Sequence, residues 1–339
     1  MLDIFKNDAF SVISMTDAVN KMQFKPGYLL SSGLFRKVPI RTRTAAIEMK
    51  AGRLALIPTV PDGSGAVRQD KIRPNIRDFR VPRLFKQDEI QASELAGARA
   101  FGTEDQLATL QQEIAARQMR LMDDMTYTWE YHLLGAVQGQ VYDADGTTLI
   151  YDWFTEWGLS APSAISFTNA AVTAAGGMRA FLQKNIVRPM LRAAQAGNMP
   201  GVRVKALVGD DFYDWFTNHP DVEKTYHNWQ AAAELRQGNA FEEFSFGGVT
   251  FVNYRGSDDN STVAIGTNNA RFYPEGIPGL FQMALAPMNS FATVNTLGRQ
   301  FYSRIVADTQ RDEWVQLDLE SNPLAICTRP EVLLRGVKA

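Results

Sequence analysis

From Thr103 to Leu134 the chain runs without a proline or a glycine, and apolar residues recur at Leu107, Leu110, Ile114, Met122, Met125, Trp129 and Leu133, with Gln118 the single gap. The mean spacing of about 3.7 residues is that of an α-helix whose apolar stripe drifts little. Thr103-Glu104-Asp105-Gln106 reads as a capping box with acids at the positive end of the helix dipole. The spacing therefore predicts one helix of roughly 32 residues, about 48 Å long. Ordinary helices have about 11–12 residues. The stripe fits heptads poorly, so a rod lying along a sheet is expected rather than a coiled coil.

The segments before this rod are extended. Residues 1–28 are polar and mixed, with an amphipathic stretch around Ile4–Val19 closed by the Pro26-Gly27 turn, and they read as a partly helical arm ordered by neighbours. From Leu29 to Leu84 the pattern is strand-like. Ala45–Met49 and Arg53–Val60 flank a Lys50-Ala51-Gly52 turn, and Pro61-Asp62-Gly63-Ser64-Gly65 is a loop signal. Pro58–Pro82 holds four prolines, many arginines and few apolar anchors. Such a stretch cannot bury itself, and long loops without a task are uncommon, so a long protruding hairpin or loop is expected rather than core.

After the rod, helices and strands alternate irregularly. A hairpin is predicted at Val141–Trp153, turned at Asp145-Gly146, then a helical region at Ala170–Gly197, weakened by Gly176-Gly177, interrupted by Pro189 and capped by Gly197. Val202–Gly209 reads as a buried strand, Asp210–Trp229 as an acidic helical region rich in aromatics, and Phe244–Asn253 as a hairpin around Gly247-Gly248. Further strands are predicted at Thr262–Gly266, Phe281–Leu285, Phe301–Val306, Trp314–Leu319 and Pro323–Thr328, and Gly276, Pro278 and Gly279 suit a tight turn. The class is α+β.

The net charge of −2 hides an asymmetry. Arg36–Lys86 carries thirteen Lys and Arg against Glu48, Asp62, Asp70 and Asp78, a net of +9, whereas Asp210–Glu243 carries eight acids against Lys224 and Arg236, a net of −6. A basic and an acidic surface on one chain point either to nucleic acid or to pairing between identical copies. The arginines alternate along extended chain with only Phe79 and Phe85 near them. A single-strand binder interleaves more stacking rings. Self-association is therefore the better reading, with Arg68, Lys71, Arg73 and Arg77 as candidates on one side and Asp210, Asp211, Asp221 and Glu223 on the other.

The residues for catalysis are sparse. His132, His219 and His227 form no metal-binding spacing, and His132 falls on the rod, where a packed or half-exposed histidine is the default. Asp210-Asp211 follows a strand, where carboxylates can hold Mg²⁺. The simpler reading has Asp210 capping the next helix and Asp211 and Asp214 favouring its first turn. Asp143-Ala144-Asp145-Gly146 lacks the later ligands of a calcium loop and reads as a turn. There is no phosphate-binding glycine loop and no G-x-S-x-G. The single cysteine, Cys327, excludes disulfide frameworks and reads as a small buried hydrophobe. No catalytic residue, cofactor or metal is expected. No apolar run suits a signal peptide or approaches the ~20 residues of a membrane helix, so a soluble protein of a reducing compartment is expected.

Four stretches together carry a resemblance. They are Phe24-Lys25-Pro26 with the strands to Pro58; Gly209–Asp214 with His219-Pro220-Asp221-Val222; Ala270-Arg271-Phe272-Tyr273-Pro274-Glu275-Gly276; and Ala286-Pro287-Met288 with Asn295-Thr296-Leu297-Gly298 and Tyr302. Glu320-Ser321-Asn322-Pro323-Leu324 adds to them. Over nearly its whole length the chain resembles the tailed-bacteriophage major capsid proteins of the capsid protein E family, lambda-like in type, with the Hong Kong 97-type fold. The resemblance implies an N-terminal arm at 1–28, an extended β loop and the start of a peripheral domain at 29–99, the peripheral domain with its spine helix at 100–199, an axial domain at 200–300, and C-terminal strands returning to the peripheral domain at 301–339. It implies hexamers and pentamers of this chain closing an icosahedral shell around double-stranded DNA that is held without sequence-specific contacts. Portal, scaffold and decoration proteins would be partners, there would be no membrane partner, and the location would be the virion, with assembly in the host cytoplasm. No Lys–Asn crosslinking pair can be matched. The alternatives are a non-viral encapsulating shell of the same fold and a Mg-dependent enzyme using Asp210 and Asp211.

Overall fold

A computed structural model describes residues 11–22, 27–49, 75–91, 105–195, 201–227, 243–255, 263–311 and 313–338. The chain opens with an arm helix, Val12–Lys21, and a short helix, Tyr28–Ser31. Four strands follow: β1 (Arg36–Pro39), β2 (Thr44–Met49), β3 (Asn75–Arg80) and β4 (Leu84–Gln91). The long helix spans Asp105–Gln138, 34 residues, which is about 51 Å. Its stripe is buried through Ile114, Met122, Met125, Trp129 and Leu133, joined by Leu121, Leu134 and Val137. The Trp129 ring stacks flat on Phe301, 4.7 Å between centroids. Gln118, the gap in the stripe, is buried too, and its Nε2 donates to Ser303 Oγ at 2.8 Å. A satisfied amide is thus compatible with the core face. The helix passes through Gly135 rather than stopping there. A side chain at Gly135 would meet the Gln140 carbonyl at 2.7 Å, so the glycine serves a close approach. The terminator is Gly139, at φ +87°. The capping box at Thr103 lies outside the described residues.

Beyond the rod come β5 (Gln140–Tyr142), β6 (Leu149–Asp152) and β7 (Ile165–Phe167). The helical region is broken as Gly176-Gly177 predicts, with helices Asn169–Ala174 and Met178–Leu182, a π turn Gln183–Val187 and a last piece Arg188–Ala193. The wide turn falls just before Pro189, whose ring and missing amide disfavour a regular α turn. Helix ends before Gly197, which lies outside the described residues, and Gln195 takes the left-handed conformation at φ +53°.

The second half supplies β8 (Arg203–Val208), helices Asp210–Thr217 and Pro220–His227, β9 (Glu243–Phe246), β10 (Val249–Asn253), β11 (Asn269–Glu275), β12 (Phe281–Leu285), β13 (Tyr302–Ala307), β14 (Trp314–Ser321), β15 (Pro323–Cys327) and β16 (Leu334–Lys338). Three sheets result: β7-β16-β11-β8-β10-β9, β13-β14-β4 and β1-β12-β15, beside the hairpins β2-β3 and β5-β6. The six-stranded sheet is closed on one face by Phe167, Phe212, Phe216, Phe251 and Phe272, all fully buried. Phe216 and Phe251 lie 4.0 Å apart between centroids. The segment after residue 300 is shared between sheets: β13 and β14 lie beside β4 and the long helix, while β16 pairs with β11.

The predicted strands at 202–209, 244–253, 281–285, 301–306, 314–319 and 323–328 are present within a residue or two. Of the predicted strand Thr262–Gly266, Thr262 lies outside the described residues and the rest shows a bridge between Arg255 and Ala264. The predicted strand Arg53–Val60 and the loop 61–65 lie outside the described residues.

Candidate assembly surfaces

The extended segment is fastened at its root. β2 and β3 pair antiparallel from Thr44↔Arg80 to Met49↔Asn75, so the chain between them leaves and returns at adjacent positions. Phe79 is buried among Tyr151, Trp153 and Trp157, with ring centroids 5.3–5.7 Å away. Such edge-to-face packing adds to area burial. Tyr151 Oη donates to the Arg80 carbonyl at 2.7 Å, and the Val81 amide donates to the Arg43 carbonyl at 3.0 Å. Hairpin and rod are thus locked through β5-β6, and the Asp145 turn shapes that second hairpin: the Asp145 carboxylate accepts from the Thr147 and Thr148 amides and the Thr148 hydroxyl. Those bonds hold its pKa well below the usual carboxylate range.

The basic segment does not keep all its charge for others. Arg83 pairs with the buried Glu320 at 2.6 Å and lies over the Phe85 ring, and Lys86 pairs with Asp124 on the long helix. Arg77 stands on β3 with its guanidinium 5.9 Å from the Trp157 ring. Arg68, Lys71 and Arg73 lie between the two paired strands and outside the described residues.

The acidic candidates occupy two consecutive helices. Asp210 does not cap its helix: Gly209 holds that position without a side-chain bond, and Asp210 and Asp211 sit in the first turn. Gly209 is required because a Cβ there would press on the Gly266 and Thr267 backbone at 2.6–2.7 Å. Asp210 pairs with Arg255 at 3.4 Å, and Asp211 is exposed. Asp221 has an internal task, its Oδ2 accepting from the Met178 amide at 3.0 Å where Gly177 cannot cap. The Asp221 amide in turn donates to His219 Nδ1 at 3.2 Å, and Glu223 is exposed. Arg77 and the acids are therefore held by different elements rather than by each other.

Sequence reasoning missed Glu130, whose side chain ties three parts of the chain together. It is 1% exposed and accepts from the Leu29 and Leu30 amides (2.8 and 3.2 Å) and from Tyr254 Oη (3.0 Å). Desolvation pushes its pKa up, against the lowering effect of those hydrogen bonds. Nearby, Tyr28 donates to Glu243 at 2.9 Å, and Lys205 bridges Glu243 and Glu275. The arm helix is fixed likewise: Asn20 Nδ2 donates to the Phe301 carbonyl at 2.8 Å, and Arg299 pairs with Asp17.

His132 and Cys327 are buried in the packing. Burial lowers the His132 pKa to about 4, and burial pushes the Cys327 thiol up to about 12. Among the described residues no group of three or more His, Cys, Asp or Glu could hold a metal ion, and no helix is long and apolar enough to cross a membrane. A surface depression lined by Val187, Leu191, Val202, Val204 and the Gly247-Gly248 turn carries Arg203 as its charged side chain, with no carboxylate, histidine or lysine.

Comparison with known proteins agrees with this geometry. The family described as phage major capsid protein E matches residues 11–338. The chain is 25% identical over 370 aligned residues to the major capsid protein of Salmonella phage Felix O1, covering 98% of both. It is 27% identical over 289 residues to that of Pseudomonas phage KPP10, covering 78% of both. In three dimensions it is similar to a putative capsid protein of an Escherichia coli CFT073 prophage, with a TM-score of 0.55 and 15% identity over 97% of this chain and 99% of that one. It is also similar to a chain of the satellite phage P4 procapsid, with a TM-score of 0.50 and 12% identity over 97% and 90%. These structures share the Hong Kong 97-type capsid fold with this chain. Matched to its family from the arm helix to the last strand, the chain belongs to the phage major capsid protein E family and is a shell protein of a phage virion.

Proposed function

We propose that copies of this chain form hexamers and pentamers that close an icosahedral shell around double-stranded DNA, in the host cytoplasm, with portal, scaffold and decoration proteins as partners and no catalytic role for the chain itself. The observation that carries this reading is the root of the extended segment. Phe79, Tyr151, Trp153 and Trp157 fasten both strands of a hairpin whose excursion, from 50 to 74, carries Arg68, Lys71 and Arg73. A rigid root suits an excursion that bears load on something outside its own subunit.

The basic side chains of one copy, Arg77 included, then face the acidic helices of another, at Asp210, Asp211, Asp221 and Glu223. Such complementarity sets register and encounter rate more than affinity. Many modest identical contacts supply the energy of a closed symmetric shell. Cryo-electron microscopy of assembled particles tests the reading. Five- and six-fold capsomers enclosing nuclease-protected double-stranded DNA are expected. Shells filled with protein cargo would replace the virion by a compartment, and discrete monomers to tetramers would overturn the shell altogether.

A further inference from the structure

No charged residue or histidine occurs between Glu275 and Arg299 in a chain that is 21% charged. The first half of that run is explained by the core, since Leu280, Phe281, Met283 and Leu285 are buried in and beside β12. The second half is not. Phe291 is 102% exposed, Val294 59% and Leu297 51%. An isolated exposed apolar side chain is ordinary, but three in seven residues with no charge among them form a patch that marks an interaction site. Loss of charge with an aromatic at the centre is the composition of an interface core.

The loop is also held in shape. Thr293 Oγ1 donates to the Met288 carbonyl at 2.8 Å, and Thr296 Oγ1 donates to the Thr293 carbonyl at 2.7 Å. Asn295 adopts φ +60°, and Asn322 Nδ2 donates to the Pro287 carbonyl at 3.3 Å. The Gly298 amide donates to the Ile40 carbonyl at 2.8 Å, and a Cβ at Gly298 would run into the Leu285 carbonyl. A loop tied this closely has little ordering entropy left to lose on binding. Its last tie is to Ile40, between β1 and β2 on the way into the extended segment, and the following residue, Arg299, holds the arm helix through Asp17. The loop therefore adjoins the root of the basic segment proposed above to reach another copy, and it also adjoins the arm helix.

We infer that the uncharged loop 286–298 docks on a second copy of this chain, with Phe291 as the anchor side chain of the contact. The occupant rests on the shell reading: in a closed shell identical chains adjoin each one. An aromatic of this size brings about 150–250 Å² of apolar surface, against about 800 Å² per partner in a standard interface. The loop is then an anchor within a wider contact, in keeping with the concentration of binding energy in a few aromatic residues.

The test compares wild type with Phe291→Ser and Phe291→Leu for shell-sized material by sedimentation, with circular dichroism and thermal melting of each. In parallel, a benzophenone photocrosslinker is placed at position 291 of the full chain. Because Phe291 makes no packing contact at full exposure, Phe291→Ser is expected to melt within a degree or two of wild type yet yield at least tenfold fewer shells. Phe291→Leu should restore most of them, and the crosslinker should join two copies. Shell yield unchanged in Phe291→Ser, or crosslinks confined to its own chain or to another protein, would overturn the inference while leaving the shell reading intact. A wild type that forms no oligomer would remove both.

Discussion

Glu130 joins the segment after the arm, the long helix and the six-stranded sheet through one carboxylate, so its removal acts on all three. Glu130→Ala leaves two buried amides and the Tyr254 phenol without an acceptor, and a loss of about 3 kcal/mol is expected. Glu130→Gln keeps one acceptor oxygen and should cost less; thermal or denaturant unfolding of both variants checks the order. His132 makes stability depend on pH. Its pKa falls from the ordinary 6.5 to about 4 by burial, opposed by the charge of Asp143. A lowered folded pKa means the contribution is complete above pH 6.5 and is lost as pH falls towards 4, about 3 kcal/mol in all. The acid limb of the unfolding profile should flatten in His132→Gln; an unchanged limb would contradict this assignment. The position of His132 on the rod left it packed or half-exposed in the sequence reading, and the structure buries it. Glu130 was not legible, because its partners at Leu29, Leu30 and Tyr254 lie more than 99 residues away and only the fold brings them together.

At the scale of elements, the aromatic root is expected to behave as a small core. Phe79→Ala should destabilise by about 3–5 kcal/mol, and hydrogen exchange should show the loss first in β2, β3 and β5-β6. Reversal of charge at Arg68, Lys71 and Arg73 together should impair assembly more than folding. Unchanged particle counts by electron microscopy would count against the basic excursion as a contact. Elements with strong local period were readable: the rod, the hairpins turned at Asp145-Gly146 and Gly247-Gly248, and β12. Among the strands that escaped were β4, beyond the extended pattern that ended at Leu84, and β7, β11 and β16. β7 has three residues, β11 contains Pro274, and β16 contains Gly336. In those last three, each feature argues locally against a strand. Each is explained only by a distant partner, as when Gly336 leaves room for the Phe167 and Phe272 rings, 2.7 and 2.9 Å from where a Cβ would stand.

The described residues combine a well-packed body with a paired β2-β3 root fixed by Phe79, Tyr151, Trp153 and Trp157. The asymmetry between the +9 and −6 segments was visible in composition, and structure refines it: Arg83, Lys86, Asp210 and Asp221 each hold a partner within the chain, while Asp211 and Glu223 are exposed. What composition could not reveal is which apolar residues remain outside the core, since Phe291 and Phe281 look alike in sequence and differ only in burial. The central claim is that this chain works as one of many identical copies. Sedimentation velocity on the purified full-length chain tests it most directly. Rapidly sedimenting shells or capsomers are predicted, whereas a single species of about 38 kDa that persists at every concentration would contradict the account.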